Sequence, residues 1–477
     1  MYLPKYTVLK NFKRQNQEDD YAKEQERLKI FEDDFDKKSD LYLKLQKEIN
    51  DNFRNLLQKK SFDDNDRKSI QYFIEEYIRK EHYFFVSAKD EKDFVEQIIN
   101  DIFGLGLLEG YIKDPEISEI WVNGPKKVWY EKQGRRYLSP LKFRDDSTAV
   151  SLVNKILAPI NRKADEMEST VDGRLADGSR VAVTMSSTSL FGTELVIRKF
   201  KTGKFTLEDY VRYGSMSEEM KDFLITSVEA GLSILIVGGT GSGKTTMLNA
   251  LSNCIPEDRG YQHVITIEDS AELMIGAEFW SRWETRKPNS EGKGEITISD
   301  LIKHALRNSP NRVCIGEIRG REAADVLQIG LTGHKGTMTT IHSENSAEAV
   351  ERFCQLVAQD GVIQVEEAKR SFAAVFDLIV VVGRVENVKE NKTERKVTQI
   401  TQVVGYGKTG RSKLNLKSKP GTSENPEDLK KVYLQDLYKF DYEKYRHVCL
   451  GRVPQDLLAK AHEEGREYNM DIFKKTS

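Results

Sequence analysis

Residues Gly238-Gly239-Thr240-Gly241-Ser242-Gly243-Lys244-Thr245 give the spacing GxxxxGK[ST], and Thr246 follows directly. The chemistry of that spacing is the holding of phosphate. Glycines let successive backbone N–H groups turn toward one anion, and the start of a helix adds partial positive charge. Lys244 is placed to reach the β- and γ-phosphates, and the Thr245 hydroxyl to meet Mg²⁺. The flanks suit the task. Ile234-Leu235-Ile236-Val237 reads as a short apolar strand, and Lys244 to Leu251 as a helix with Met247, Leu248 and Leu251 on its apolar side. Residues 238–246 are therefore expected to cradle the phosphates of a nucleotide, with Mg²⁺ at Thr245.

Hydrolysis also needs a carboxylate near the terminal phosphate, to order the metal and orient water. Arg312-Val313-Cys314-Ile315-Gly316-Glu317 is an apolar run ending in an acid. Ile265-Thr266-Ile267-Glu268-Asp269 is another, with Glu272 shortly beyond. In a parallel sheet the C-terminal strand ends line the ligand crevice, so both acid clusters are expected beside the loop after Val237. Asp269 is also suited to capping the next helix. A third segment, Thr332-Gly333-His334-Lys335-Gly336, leads into Thr339-Thr340-Ile341-His342. A neutral imidazole there could sense the γ-phosphate or hold a catalytic carboxylate, and spacing does not choose between the two.

The elements that must position these groups alternate between strand and helix over residues 206–384, the sign of a parallel sheet with crossover helices. Strands are expected at Ile234–Val237, Val264–Glu268, Val313–Glu317, Met338–His342 and Leu378–Val382, with helices over 299–308, 321–330 and 346–358. Residues 91–205 predict an α+β domain. It comprises a helix from Phe94 to Leu108, a strand over Ile117–Val122, and a hairpin from Val128-Trp129-Tyr130 to Arg136-Tyr137-Leu138. A helix from Ala149 to Ile160 and strands at Arg180–Met185 and Leu195–Phe200 complete it. Residues 1–90 are different in kind. The first hundred residues hold 20 Lys+Arg and 22 Asp+Glu, denser in charge than the 31% of the whole chain. Apolar residues at helical spacing (Ile30, Phe31, Phe35, Leu41, Leu43, Leu45, Ile49, Phe53, Leu56, Leu57) then predict a charged helical arm or small bundle. Residues 385–477 read as a polar C-terminal extension. Lys408, Arg411, Lys413, Lys417 and Lys419 lie there on a solvated loop before Pro420-Gly421.

A net charge of −2 gives no global field toward nucleic acid or an anionic membrane. The apolar runs, typified by Leu378-Ile379-Val380-Val381-Val382, are too short to span a bilayer. The segment Met1-Tyr2-Leu3-Pro4-Lys5-Tyr6 has no signal-peptide character. Cys254, Cys314, Cys354 and Cys449 are scattered without metal spacing, which suits a reducing, cytoplasmic compartment.

In this order the phosphate loop, Ile267-Glu268-Asp269-Ser270-Ala271-Glu272-Leu273, Gly316-Glu317-Ile318-Arg319-Gly320, and the histidine segment from Thr332 to His342 resemble the type II/type IV secretion ATPase superfamily. Trp283-Glu284-Thr285-Arg286, Gly292-Lys293-Gly294-Glu295-Ile296-Thr297 and Ala305-Leu306-Arg307 sharpen the likeness toward the CpaF-like branch of Tad pili. So do Ile117 to Pro125, Val171 to Leu175, Asp177 to Val181 and Ile197 to Phe200. The resemblance covers roughly residues 90–405. It implies a RecA-like P-loop α/β core behind the α+β domain and helical arm, assembled as a homohexamer. It also implies ATP hydrolysis that drives a membrane platform for pilus assembly, secretion or conjugation from the cytoplasmic face. By position, Lys244 and Thr245 bind phosphate and Mg²⁺, and Glu317 coordinates Mg²⁺ through water. Glu268 or Glu272 polarises the attacking water, and His334 and His342 link nucleotide state to the ring. Arg180 and Arg198 of the preceding domain approach the γ-phosphate, with Arg286 and Arg307 as further candidates. Arginine suits that role because its fork stays charged and matches phosphate geometry. Two other readings share the core, a RecA-like DNA translocase or helicase and a nucleotide-gated scaffold with little turnover. Single-strand-stimulated, salt-steep turnover would mark the first. The acids Glu268, Glu272 and Glu317 speak against the second.

Overall fold

The computed structural model describes residues 38–469, apart from 39, 58–62, 86, 133, 161, 176, 201–204, 259, 289–291, 360, 388–389, 391, 408 and 411–429. Ile30, Phe31 and Phe35 of the charged arm, and Lys408, Arg411, Lys413, Lys417 and Lys419 with Pro420-Gly421, lie outside the described residues. The chain divides into two compact units, 1–202 and 203–477.

In the first unit, helix α1 spans residues 40–52, α2 Asp64–Lys80 and α3 Ala88–Phe103. Each carries apolar residues one turn apart, and those stripes meet in one core of Leu41, Leu45, Ile49, Ile70, Ile74, Ile78, Phe94 and Ile98. Asp63 caps α2 in a reciprocal box with Asp66, and Ser87 caps α3. Helix α3 was expected to open the α+β domain, but its buried face instead completes the helical bundle. Beyond it stands a fully antiparallel sheet of order β3-β2-β1-β6-β5-β4. Its strands are β1 Ile117–Asn123, β2 Lys127–Lys132, β3 Arg135–Leu138, β4 Thr170–Arg174, β5 Arg180–Thr184 and β6 Glu194–Arg198. Helix α4, Asp146–Leu157, packs Val153 and Leu157 into the same core as Ile120, Val181 and Ile197.

The second unit is built on a nine-stranded sheet of order β15-β14-β13-β12-β7-β11-β10-β8-β9. The expected strands are present as β7 Ile234–Val237, β8 Val264–Glu268, β10 Arg312–Ile318, β11 Met338–Ile341 and β12 Leu378–Asn387. With the edge strand β9, Trp280–Glu284, they run parallel. Strand β7 is buried at every residue, as a parallel strand covered on both faces must be. Its alternation divides the core: Ile234 and Ile236 join one hydrophobic cluster, Leu235 and Val237 the other. The helices over 299–308, 321–330 and 346–358 appear as Ile298–Ala305, Glu322–Leu331 and Ser346–Val357.

The C-terminal extension differs from expectation. Strands β13 Lys392–Tyr406, β14 Val432–Asp441 and β15 Arg446–Cys449 continue the sheet antiparallel past β12, so no domain boundary falls at 384. Their outward positions are polar enough to mask the pattern, while Val397, Ile400, Leu437 and Tyr438 enter the core. The helix Gln455–Glu463 follows, and Tyr468 beyond it stacks on Phe223 at 5.3 Å. No helix among the described residues is long and apolar enough to cross a membrane.

Candidate active site

The site is assembled at the C-terminal ends of adjacent parallel strands. Strand β7 runs into the glycine-rich loop expected to hold phosphate, which leads into helix α5, Lys244–Ser252. Two glycines make the loop's shape possible. Gly243 has φ +101°, a left-handed conformation that a side chain resists. At Gly238 a Cβ would lie 2.3 Å from the Val382 carbonyl oxygen and 2.4 Å from Ser242 Oγ. Gly238→Ala is expected to destabilise the fold by about 1–3 kcal/mol through overpacking and to weaken ADP binding with it; thermal unfolding and ADP titration check both. The Ser242 hydroxyl is buried and has no hydrogen-bond partner among the described residues, an unmet donor within a loop that suits phosphate oxygens.

Lys244 is buried within a cluster of ionisable groups. Its Nζ donates to the Gly239 carbonyl at 3.1 Å and lies 3.3 Å from Nε2 and 3.4 Å from Nδ1 of His342. Glu317 Oε1 is 4.0 Å away. Burial lowers the Lys244 pKa, and nearby Glu317 opposes the shift. His342 Nε2 lies 2.8 Å from the same Glu317 oxygen. Desolvation and then Lys244 depress the His342 pKa, which favours the neutral ring beside the carboxylate. The other Glu317 oxygen takes a fork from Arg319, Nε at 2.7 Å and the terminal nitrogen at 2.6 Å. Arg319 stands two residues on from Glu317, just past the end of β10, and its side chain reaches back to that carboxylate. Sequence reasoning assigned Arg319 no role, and that i, i+2 spacing was the signal that could have found it. Arg319 also comes within 3.8 Å of Asp269.

Glu268 ends β8, and its side chain is 2% exposed. Its Oε1 accepts the backbone N–H groups of Glu272 at 2.7 Å and Leu273 at 3.0 Å. Its Oε2 is buried without a hydrogen-bond partner among the described residues. Gly316 leaves the room for it, since a Cβ there would sit 3.2 Å from Glu268 Cγ. Burial pushes the Glu268 carboxyl up to about 6, against the pull of its two backbone donors.

The remaining sequence candidates fall elsewhere. His342 follows the C-terminal end of β11, whereas His334 precedes that strand and lies at the opposite edge of the sheet, 3.2 Å from Thr332 Oγ1. The strand between them separates the two histidines. Arg307 lies in the turn before β10, also at the opposite edge, and Arg286 is exposed and donates to the Gly294 carbonyl at 2.7 Å. Arg180 and Arg198 are cross-strand partners in the first unit, and Arg198 pairs with Glu119 at 3.3 Å. No group of three or more His, Cys, Asp or Glu side chains among the described residues is arranged to hold a metal.

The profile of the type II/IV secretion system protein family matches residues 103–413 of this chain. The chain belongs to that family. Its α/β fold sets the glycine-rich loop Gly238–Gly243 after a central parallel strand of the nine-stranded sheet. An uncharacterized protein of Methanocaldococcus jannaschii is 28% identical over 394 residues, covering 81% of this chain. The chain spans 65% of that relative's length. The type IV secretion system protein VirB11 of Brucella suis is 27% identical over 326 residues, covering 62% of this chain and 89% of VirB11. The crystal structure of the VirB11 ATPase from Brucella suis, in complex with sulphate, matches with 25% identity and a TM-score of 0.33, covering 61% of this chain and 91% of that one. The loop Gly238–Thr245 and the acids Glu268 and Glu317 all lie inside the span that the family profile matches.

Proposed function

We propose that the chain is a Mg-ATPase motor of a secretion, pilus or conjugation machine. The observation that carries this reading is the convergence of Lys244, Glu317 and His342 at the loop after β7, with Glu268 buried at the C-terminal end of β8 in the same sheet. Lys244 holds the β/γ-phosphates. The hard oxygen donors Thr245 and Glu317 would hold Mg²⁺, which would supply charge neutralisation on the phosphates. The His342 ring lies against the Glu317 carboxylate on one side, and the Arg319 fork fixes it from the other.

Between the two acids left open by the sequence, Glu268 is the one that orients the attacking water. Two backbone donors hold one of its oxygens still, and the buried second oxygen is unsatisfied. Glu272 supplies one of those backbone donors. His342 reports the state of the terminal phosphate; His334, at the far edge of the sheet, acts through the ring.

The likeness to the CpaF-like branch supports a hexamer at the cytoplasmic face of a membrane, working on a membrane platform protein. In that assembly Arg180 and Arg198 serve the γ-phosphate. Mg-ATP turnover measured across a protein-concentration series, with mass by light scattering, tests the motor. Specific activity should rise as mass approaches that of a hexamer; activity independent of assembly would remove the hexamer and both arginines from the scheme.

Glu317→Gln is expected to bind ATP within a few-fold of wild type and to lose about 10²–10³-fold in turnover. The amide keeps the shape and an acceptor for Arg319 but gives up the charge. A titration in which the variant no longer binds ATP would assign Glu317 to binding rather than to the chemical step.

A further inference from the structure

The flank of the phosphate loop away from Glu317 carries two arginines that the cluster above does not use. Strand β7 has β11 on one side and β12 on the other. Lys244, Glu317 and His342 gather on the β11 side. On the β12 side, the antiparallel pair β12–β13 sets Arg384 directly opposite Arg395. Arg395 Nε donates to the Gly241 carbonyl at 3.0 Å, and its stem lies 3.5 Å from the position a Cβ would take on Gly243. A terminal nitrogen of Arg384 lies 4.0 Å from the corresponding position on Gly241. Both guanidinium groups are therefore at the loop, and both residues are exposed.

Like charges directly opposed on a ladder are destabilising. Here no described carboxylate stands within ion-pair distance to offset them. The acids of the same hairpin are engaged elsewhere: Glu394 takes Lys392 at 2.8 Å and Lys396 at 2.5 Å and accepts from Tyr445 at 3.1 Å, and Glu386 accepts from Thr393 at 2.7 Å. Two unneutralised forks beside a phosphate cradle form a site for an anion that arrives from outside the chain.

We propose that Arg384 and Arg395 hold the α-phosphate and ribose end of the nucleotide, opposite the Lys244–Glu317–His342 cluster. A triphosphate whose terminal phosphate meets that cluster directs its other end across the loop, toward the β12–β13 hairpin. The pair thus positions the nucleotide and discriminates a nucleoside phosphate from inorganic phosphate chains. The inference rests on the nucleotide reading of the site.

Calorimetric titration of the full chain with ADP and with pyrophosphate tests it. Arg384→Ala leaves the Arg395–Gly241 bond in place. It should weaken ADP by about tenfold, the worth of one charged hydrogen bond, and leave pyrophosphate within about twofold. The double variant Arg384→Ala/Arg395→Ala should weaken ADP further, with its thermal midpoint measured beside it. Unchanged ADP affinity in Arg384→Ala, or an equal loss for ADP and pyrophosphate, overturns the proposal and leaves the nucleotide site intact. Wild-type protein that binds neither probe would remove the nucleotide reading itself.

Discussion

Lys244→Ala is expected to lose Mg-ATP turnover by about 10²–10³-fold or more, the scale of removing one preorganised charge from a phosphoryl-transfer site. The expected cost to the fold is small. Lys244 points into the site rather than into either hydrophobic cluster, and Glu317 keeps its Arg319 fork and its His342 contact when the lysine is gone. Removal of the ammonium also lifts one of the causes that depress the His342 pKa, so the ring should titrate higher in the variant than in wild type. Turnover, far-UV circular dichroism and an NMR titration of the His342 ring check the three parts separately. Turnover near wild type would sink the assignment of the phosphate loop; lost turnover with a melted fold would instead make Lys244 structural.

Glu268→Gln is the second large effect. The amide can accept the same two backbone N–H groups, so the Glu272–Leu273 turn should stay in place while turnover falls by about 10²–10³-fold. The pH dependence separates this acid from its neighbours. Its carboxyl is raised from 4.5 to about 6 by burial, so the folded protein holds its proton over a window in which the unfolded chain has lost it. The sign follows from that. Stability from this group is fully present below 4.5 and falls as the pH rises toward 6. Above 6 it is lower by about 2 kcal/mol, since a tenfold change in proton affinity is worth about 1.4 kcal/mol. Denaturant midpoints of wild type and Glu268→Gln should therefore converge at low pH, with the variant gaining relative to wild type above pH 6. In kinetics, wild-type kcat/KM should drop below about pH 6, where the free enzyme's Glu268 takes up its proton. A wild-type profile flat through that region would take Glu268 out of the water-orienting role.

Sequence alone went far with this chain, because its chemistry sits on segments whose local pattern is unambiguous. The run Ile234–Val237 ahead of Gly238 and the helix after Lys244 are strand and helix by period and composition, and each strand bearing an acid could be read from an apolar run of the right length. The parallel order of those strands then followed from alternation with helices, which is why Glu268 and Glu317 were expected at one edge.

What was not legible depended on neighbours distant in sequence. Strands β13 to β15 are polar on their outward positions, and only pairing with β12 makes them sheet. The bundle role of α3 is set by which apolar stripe it meets, not by its own amphipathic period. Glu268 and Glu272 are both carboxylates near a strand end; only folding buries the first and sets two backbone donors on it. Two histidines in one segment looked equivalent until strand direction placed His342 at the cluster and His334 at the other edge. Arg384 and Arg395 are eleven positions apart in sequence and face each other only because the hairpin register pairs them beside the loop. Local sequence fixes which elements form and which chemistry they carry, since period and side-chain type are properties of a few consecutive residues. Register, strand direction and burial are properties of contacts between segments, and those exist only once the chain has folded.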